Sequence, residues 1–222
     1  MPLVAARGLV KTFGRGRVAR RVLDGADLDV SAGEIVAVLG RSGTGKSTLL
    51  HLLGGLDSAE AGTIEVAGRR VTGARERDLS ALRRRHVGFV FQFFHLLPEL
   101  SGEENVLLAA RVRGAHSDAV ARGRVLIEAV GVHAVRHSTP AELSGGEQQR
   151  FAIARALVNN PEVVLADEPT GNLDSKAGDD VLRLLRRVAD EGRAMVLVTH
   201  DPAATAIADR VVTLERGLLQ PC

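Results

Sequence analysis

Apolar and polar positions are arranged along this chain in two strand-like patterns and one helix-like pattern. From Leu3 to about Val30 the pattern is that of β structure. Leu3-Val4-Ala5-Ala6 and Leu9-Val10 lead into a basic, turn-rich segment, and Val22-Leu23-Asp24-Gly25-Ala26-Asp27-Leu28-Asp29-Val30 then alternates apolar and polar residues. Alternation with period two marks a strand with one face buried, as in antiparallel sheets. Ile35-Val36-Ala37-Val38-Leu39, Val163-Val164-Leu165-Ala166 and Met195-Val196-Leu197-Val198-Thr199 are instead nearly unbroken apolar runs. Such runs fit strands covered on both faces, the parallel-sheet condition. Gly62 to Gly68, Val87 to Phe91 and Val211 to Leu214 add shorter strands.

Between these runs the spacing turns helical. Leu49, Leu50, Leu52 and Leu53 continue a helix that stops at Gly54-Gly55, and Val181, Leu184, Leu185 and Val188 share one face of another. Arg183, Arg186, Arg187 and Asp190 point outward from that second helix. Ser80 to Arg85 reads as a basic helical stretch with Arg83-Arg84-Arg85 as a solvated face. Glu103 to Arg113 and Ser117 to Val130 read as amphipathic helices before a connector at Ser138-Thr139-Pro140. Strands alternating with helices predict a mostly parallel sheet with right-handed crossovers. Residues 93–160 stand out as a helical sub-domain inserted in a single domain, 1–222.

The 222 residues carry 45% hydrophobic and 25% charged side chains with a formal net charge of +2. That balance is ordinary for a globular protein and gives no electrostatic footprint for nucleic acid. Lysine occurs only at Lys11, Lys46 and Lys176, which sets Lys46 apart from the many arginines. One cysteine, Cys222, excludes a disulfide framework and fits a reducing compartment; it lies outside a C-a-a-X pattern and reads as incidental. No signal-peptide pattern and no run of about 18 apolar residues is present, so a role at a membrane requires a partner that holds the chain there.

The strongest local signal is Gly40-Arg41-Ser42-Gly43-Thr44-Gly45-Lys46-Ser47-Thr48, a match to G-x-x-x-x-G-K-[ST] set between a buried strand and a helix. Glycines let backbone N–H groups turn around phosphate oxygens, and the helix N-terminus adds its positive end. Lys46 can reach the β- and γ-phosphates and the Ser47 hydroxyl can ligate Mg²⁺. Asp167 and Glu168 end another buried strand, where an open α/β sheet places its ligand. Asp167 is suited to hold Mg²⁺ beside Ser47, and Glu168 to polarise a water for attack on the γ-phosphate. His200 ends the strand through Thr199 and reaches the same crevice. Phe13, in a chain with few aromatics, is either a satellite core residue or a stacking platform for a purine.

Leu143-Ser144-Gly145-Gly146-Glu147-Gln148-Gln149-Arg150 opens a further helix with free N–H groups. A second phosphate-binding helix end is superfluous for one γ-phosphate in one chain. A head-to-tail dimer resolves this, with Ser144-Gly145-Gly146 of each chain covering the other chain's nucleotide.

The order of phosphate loop, Gln92, LSGGEQQR, VVLADEP, Asn172-Leu173-Asp174 and His200 resembles the nucleotide-binding subunit of ABC transporters, over essentially the whole chain. The resemblance implies an ABC-type P-loop fold: a mostly parallel sheet, an N-terminal antiparallel β part and an inserted helical sub-domain. It implies ATP and Mg²⁺ bound between two subunits, a homodimer working at the cytoplasmic face of the inner membrane beneath integral membrane permease subunits. By the same resemblance Phe13 takes the adenine-stacking position, Gln92 touches Mg²⁺ and links the site to the membrane partner, and Asp174 communicates between the two sites.

His51-Leu52-Leu53-Gly54-Gly55-Leu56-Asp57, Phe91 to Pro98, and Ala156 to Pro161 narrow the likeness to ATPases of lipoprotein-releasing systems, which group with macrolide-exporter and cell-division ATPases. Phe94 departs from that pattern, where a histidine is expected beside His95. Phe93, Phe94, Leu96, Leu97 and Leu100 form a partner groove if exposed together, and sub-domain core if buried.

Overall fold

In the computed structural model, which describes residues 1–14, 16–112 and 118–222, two sheets and their helices form three layers. Strands β1 (Val4–Phe13), β2 (Arg20–Val30), β4 (Ala61–Val66) and β5 (Arg69–Arg70) make an antiparallel sheet in the order β2-β1-β4-β5. The second sheet joins β3 (Ile35–Leu39), β6 (Val87–Phe91), β7 (Val163–Asp167), β8 (Ala194–Thr199), β9 (Arg210–Glu215) and β10 (Leu218–Pro221) in the order β10-β9-β3-β8-β7-β6. All its neighbours run parallel except the β9–β10 hairpin.

The two cores follow from the period of two along the central strands. Val36 and Val38, Val163 and Leu165, and Val196 and Val198 face helix α1 (Lys46–Leu53) and the antiparallel sheet. Ile35, Val164, Ala166, Met195 and Leu197 face the opposite way, onto α3 (Gly102–Arg111), α4 (Ala119–Ala129), α5 (Gly145–Leu157) and α6 (Ser175–Asp190). Burial on both sides is why these strands lack polar alternation.

Helix α2 (Glu76–Arg85) begins before Ser80, with Glu76 and Asp78 in its first turn as the dipole favours. Its arginine run is not uniformly solvated. Arg83 is half-buried, donates to the Gly55 carbonyl at 2.5 Å and pairs with Glu76, so it staples α2 to the end of α1. Three of the helices, α3 to α5, lie between β6 and β7, within the span read as the insert. The outer ends read for two of them, Arg113 and Ser117, lie outside the described residues.

Strands β5 and β10 escaped the sequence reading because each is short and exposed. Each follows a tight turn with positive φ at both central residues, Ala67 (50°) with Gly68 (68°) and Arg216 (49°) with Gly217 (80°). The first central residue is alanine in one turn and arginine in the other, in place of Asn, Asp or Gly, so the usual hairpin dipeptide signal is absent.

Candidate functional site

The phosphate loop connects β3 to α1 and depends on its glycines. Gly43 and Gly45 have φ of 76° and 109°. A Cβ at Gly40 would stand 2.8 Å from Thr44 Oγ1 and 3.1 Å from the Leu214 carbonyl, so only glycine keeps this turn closed. No side chain caps α1, which leaves its first-turn N–H groups to an incoming anion. Arg20 on β2 donates to the Gly43 carbonyl at 2.8 Å and braces the loop from outside, a contact that no sequence pattern announced.

Lys46 is buried, and its Nζ donates to the Gly40 carbonyl at 2.7 Å while standing 3.7 Å from Glu168 Oε1. Asp167 ends β7 on the face that looks at α1, and there it hydrogen-bonds Ser47. Burial raises the Asp167 pKa above its ordinary value, opposed by the Ser47 hydrogen bond. Hydroxyl and carboxylate oxygens beside a phosphate loop are the hard donors that Mg²⁺ takes, usually with only one or two from the protein.

Glu168 sits at φ 46°, a left-handed conformation that costs a non-glycine residue about 1 kcal/mol or more. The reward is its direction. Oε2 accepts from the Thr199 hydroxyl at 3.0 Å and from the His200 backbone N–H at 3.2 Å, and Oε1 meets His200 Nδ1 at 2.8 Å. Thr199 is fully buried, and its oxygen also accepts from the Asp201 N–H. At the end of an apolar run Thr199 reads as one more β-branched residue, so spacing alone gives no signal of this contact. Lys46, Glu168 and His200 therefore converge at the carboxyl ends of β3, β7 and β8, with Ser47 and Asp167 alongside.

Further contacts involve Gln92 and the start of α5. Gln92 donates to Asn172 Oδ1 at 3.3 Å, Asn172 returns a bond to the Gln92 carbonyl at 3.0 Å, and a Cβ at Gly171 would touch the Gln92 amide. Ser144 caps α5: its oxygen accepts from the Glu147 N–H, and its hydroxyl donates to Glu147 Oε2 at 2.7 Å. A Cβ at Gly145 would stand 3.3 Å from Leu173 and one at Gly146 would stand 3.1 Å from Ala177, so this turn rests on the start of α6. Asp174 caps α6 through the Ala177 N–H. Among the described residues no hydrogen bond or ion pair joins Ser144, Gly145, Gly146 or Asp174 to the phosphate loop.

Phe13 is 47% exposed at the end of β1, with Lys11 Nζ 5.4 Å from its ring centre, which rules out the core reading. The apolar segment after Gln92 divides. Phe93 and Leu97 are exposed, whereas Phe94, Leu96 and Leu100 are half-buried and Leu96 packs into the second core. Arg155 of α5 donates to the carbonyls of Phe94 and His95, and the buried Asn105 side chain clamps both backbone groups of Leu97. Beside this segment lies a groove of about 470 Å³ lined by Phe89, Phe91, His95, Ala109, Val112 and Arg155, among others. Among the described residues no helix is long and apolar enough to cross a membrane.

Comparison with known proteins agrees with this geometry. The family model described as ABC transporter matches residues 23–171. The lipoprotein-releasing system ATP-binding protein LolD of Bordetella pertussis is 49% identical over 222 residues, covering 99% of this chain and 96% of that protein. The macrolide export ATP-binding/permease protein MacB 1/2 of Paracoccus denitrificans is 48% identical over 97% of this chain, which spans only 32% of that protein's length. Among solved structures, the bacterial ABC transporter cassette MJ0796, solved as a dimer, superposes with a TM-score of 0.87 at 36% identity, covering 97% of this chain and 96% of that one. The same cassette in a post-hydrolysis state, bound to ADP and Pi, gives a TM-score of 0.85. The fold, the convergence around the phosphate loop and these likenesses together establish that the chain belongs to the ABC transporter family, as one of its nucleotide-binding ATPase cassettes.

Proposed function

We propose that this chain is the ATP-hydrolysing motor subunit of a lipoprotein-releasing transporter, working as a homodimer on the cytoplasmic face of the inner membrane. The observation that carries the reading is the approach of Lys46, Glu168 and His200 to one another beside the Ser47–Asp167 pair. The alignment with LolD over nearly the whole length of both proteins supports the choice of cargo class. The macrolide exporter match favours an export ATPase as the second reading.

The phosphate loop, Gly40 to Thr48, wraps the phosphates, and Phe13 offers its exposed ring to the base. Lys46 leaves the Gly40 carbonyl for the β- and γ-phosphates. Ser47 and Asp167, and by the family resemblance Gln92, would hold Mg²⁺. The ion, when bound, neutralises charge on the β- and γ-phosphates. Glu168 then accepts a proton from the attacking water, and His200, hydrogen-bonded to Glu168, steadies the γ-phosphate. Ser144, Gly145 and Gly146 close over the nucleotide of the opposite chain, with Asp174 at the seam. The likeness to a bacterial ABC transporter cassette solved as a dimer supports this arrangement.

Permease subunits dock near Phe93, Phe94, Leu96 and Leu97. The exposure of Phe93 and Leu97 and the adjoining groove support a short apolar helix as the docking element. The test is photo-crosslinking from Leu97 in membranes during ATP turnover, with mass spectrometry of the captured protein. Capture of a permease with a large periplasmic domain is expected; capture of a soluble protein alone would refute the transporter assignment while leaving the ATPase intact.

A further inference from the structure

Helix α5, which opens at Ser144, sends Gln149 into the interior with no exposed surface. Its Nε2 donates to the Pro169 carbonyl at 2.6 Å and to the Phe91 carbonyl at 3.3 Å. Pro169 directly follows Glu168, and Phe91 directly precedes Gln92. The orientation of the amide is set by these neighbours, because only its NH₂ end can face two carbonyl oxygens. Its own Oε1 is buried without a hydrogen-bond partner among the described residues. An unpaired buried amide oxygen is destabilising, and an apolar side chain of the same length would fill the space without that penalty. Packing alone therefore does not account for a glutamine here; holding two carbonyls does.

Those two carbonyls belong to the turns that aim Glu168 and Gln92. Glu168 occupies a left-handed conformation at φ 46°, so the turn through Pro169 needs anchors to hold it. One anchor is the Glu168 N–H to the Val198 carbonyl, a second is the Gly171 N–H back to Glu168, and Gln149 is the third and the only one of these from α5. We propose that Gln149 is a positioning residue for ATP hydrolysis, fixing the strand ends that carry Gln92 and Glu168 to the helix that begins with Ser144-Gly145-Gly146. A shift of α5 on closure against a second subunit is thereby passed to Glu168 through one side chain. The inference rests on the reading of Glu168 as the group that activates water.

The test compares the full chain carrying Gln149→Met, Gln149→Asn or Glu168→Gln, each also in combination. Steady-state ATPase kinetics, binding of a fluorescent ATP analogue and the thermal midpoint are measured for each. Gln149→Met is expected to bind the analogue within about twofold of the parent, keep KM, and lose kcat by about tenfold or more. On the Glu168→Gln background it should remove nothing further, because both act at one step. Should Gln149→Met fail to fold, Gln149→Asn, whose amide falls short by one methylene, carries the same expectation. Parental kcat in a folded Gln149 variant, or equal losses of binding and kcat, overturns the inference. If Glu168→Gln itself keeps the parental rate, the water-activating reading fails instead. Inactivity of Glu168→Gln beside an active Gln149→Met refutes the role of Gln149 alone.

Discussion

At the scale of single residues the site is an arrangement of charges whose directions are set by neighbours. Glu168 is held on both oxygens by Thr199 and His200, so its orientation exists before any substrate arrives. Glu168→Gln should stop turnover while leaving ATP bound and the dimer closed, read by sizing chromatography with ATP. Thr199→Val keeps the shape and removes the hydroxyl. It should lower kcat by about tenfold, equivalent to about 1.4 kcal/mol, with nucleotide affinity unchanged. An unaltered kcat would mean that the backbone of His200 suffices to hold the carboxylate.

Asp167 gives a pH signature. Its folded-state pKa lies above the ordinary value of 3.8 because it is buried. Across the window from 3.8 up to its folded pKa the folded protein binds more protons than the unfolded chain, so stability falls as pH rises through that window. Asp167→Asn should flatten this slope in metal-free denaturation curves measured from acid to neutral pH. The same variant should lose the stabilisation that Mg²⁺ with ATP gives the parent.

At the scale of elements, helix ends do much of the positioning. The N-terminus of α1, behind the phosphate loop, has no side-chain cap, whereas α5 is closed by a full capping box between Ser144 and Glu147. Ser144→Ala should cost about 1 kcal/mol in denaturant unfolding from the lost cap. A larger loss should appear in ATP-driven dimer formation, because the same residue faces the opposite nucleotide in the proposed assembly. Equal, small effects on both would place Ser144 outside the dimer seam. The segment after Gln92 is likewise an element held from behind, by Arg155 and Asn105, so that Phe93 and Leu97 stay exposed.

At the scale of the molecule, the proposed closure of Ser144-Gly145-Gly146 over the opposite chain's nucleotide would make activity a property of two chains. Specific ATPase activity of the isolated protein should rise with protein concentration and level off as dimer saturates. Lys46→Ala should abolish both nucleotide binding and this concentration dependence. A flat specific activity in a protein that stays monomeric would refute the two-chain site.

Much of this was legible in the amino-acid order because the relevant physics is local. A glycine-rich turn between an apolar strand and a helix specifies a phosphate loop through backbone conformation alone, and unbroken apolar runs specify strands covered on both faces. Asp167 could be assigned to the crevice because a strand end has a defined place in an α/β sheet. The short hairpin strands β5 and β10 were not legible, since their turns lack the usual residue pairs and their side chains are exposed.

What only the tertiary structure decided are relations between residues far apart in the chain. Exposure settled Phe13 as a surface ring and split the apolar segment after Gln92 into exposed and anchored halves. The grip of Thr199 on Glu168, the brace from Arg20 to Gly43, and the span of Gln149 from Phe91 to Pro169 each join residues that sequence spacing leaves unrelated. The sequence by itself determined the longer strands and helices and marked residues suited to nucleotide chemistry, because propensity, pattern and motif act over a few residues. Which side chains hold that chemistry in aim was decided by packing two sheets and their helices around one another.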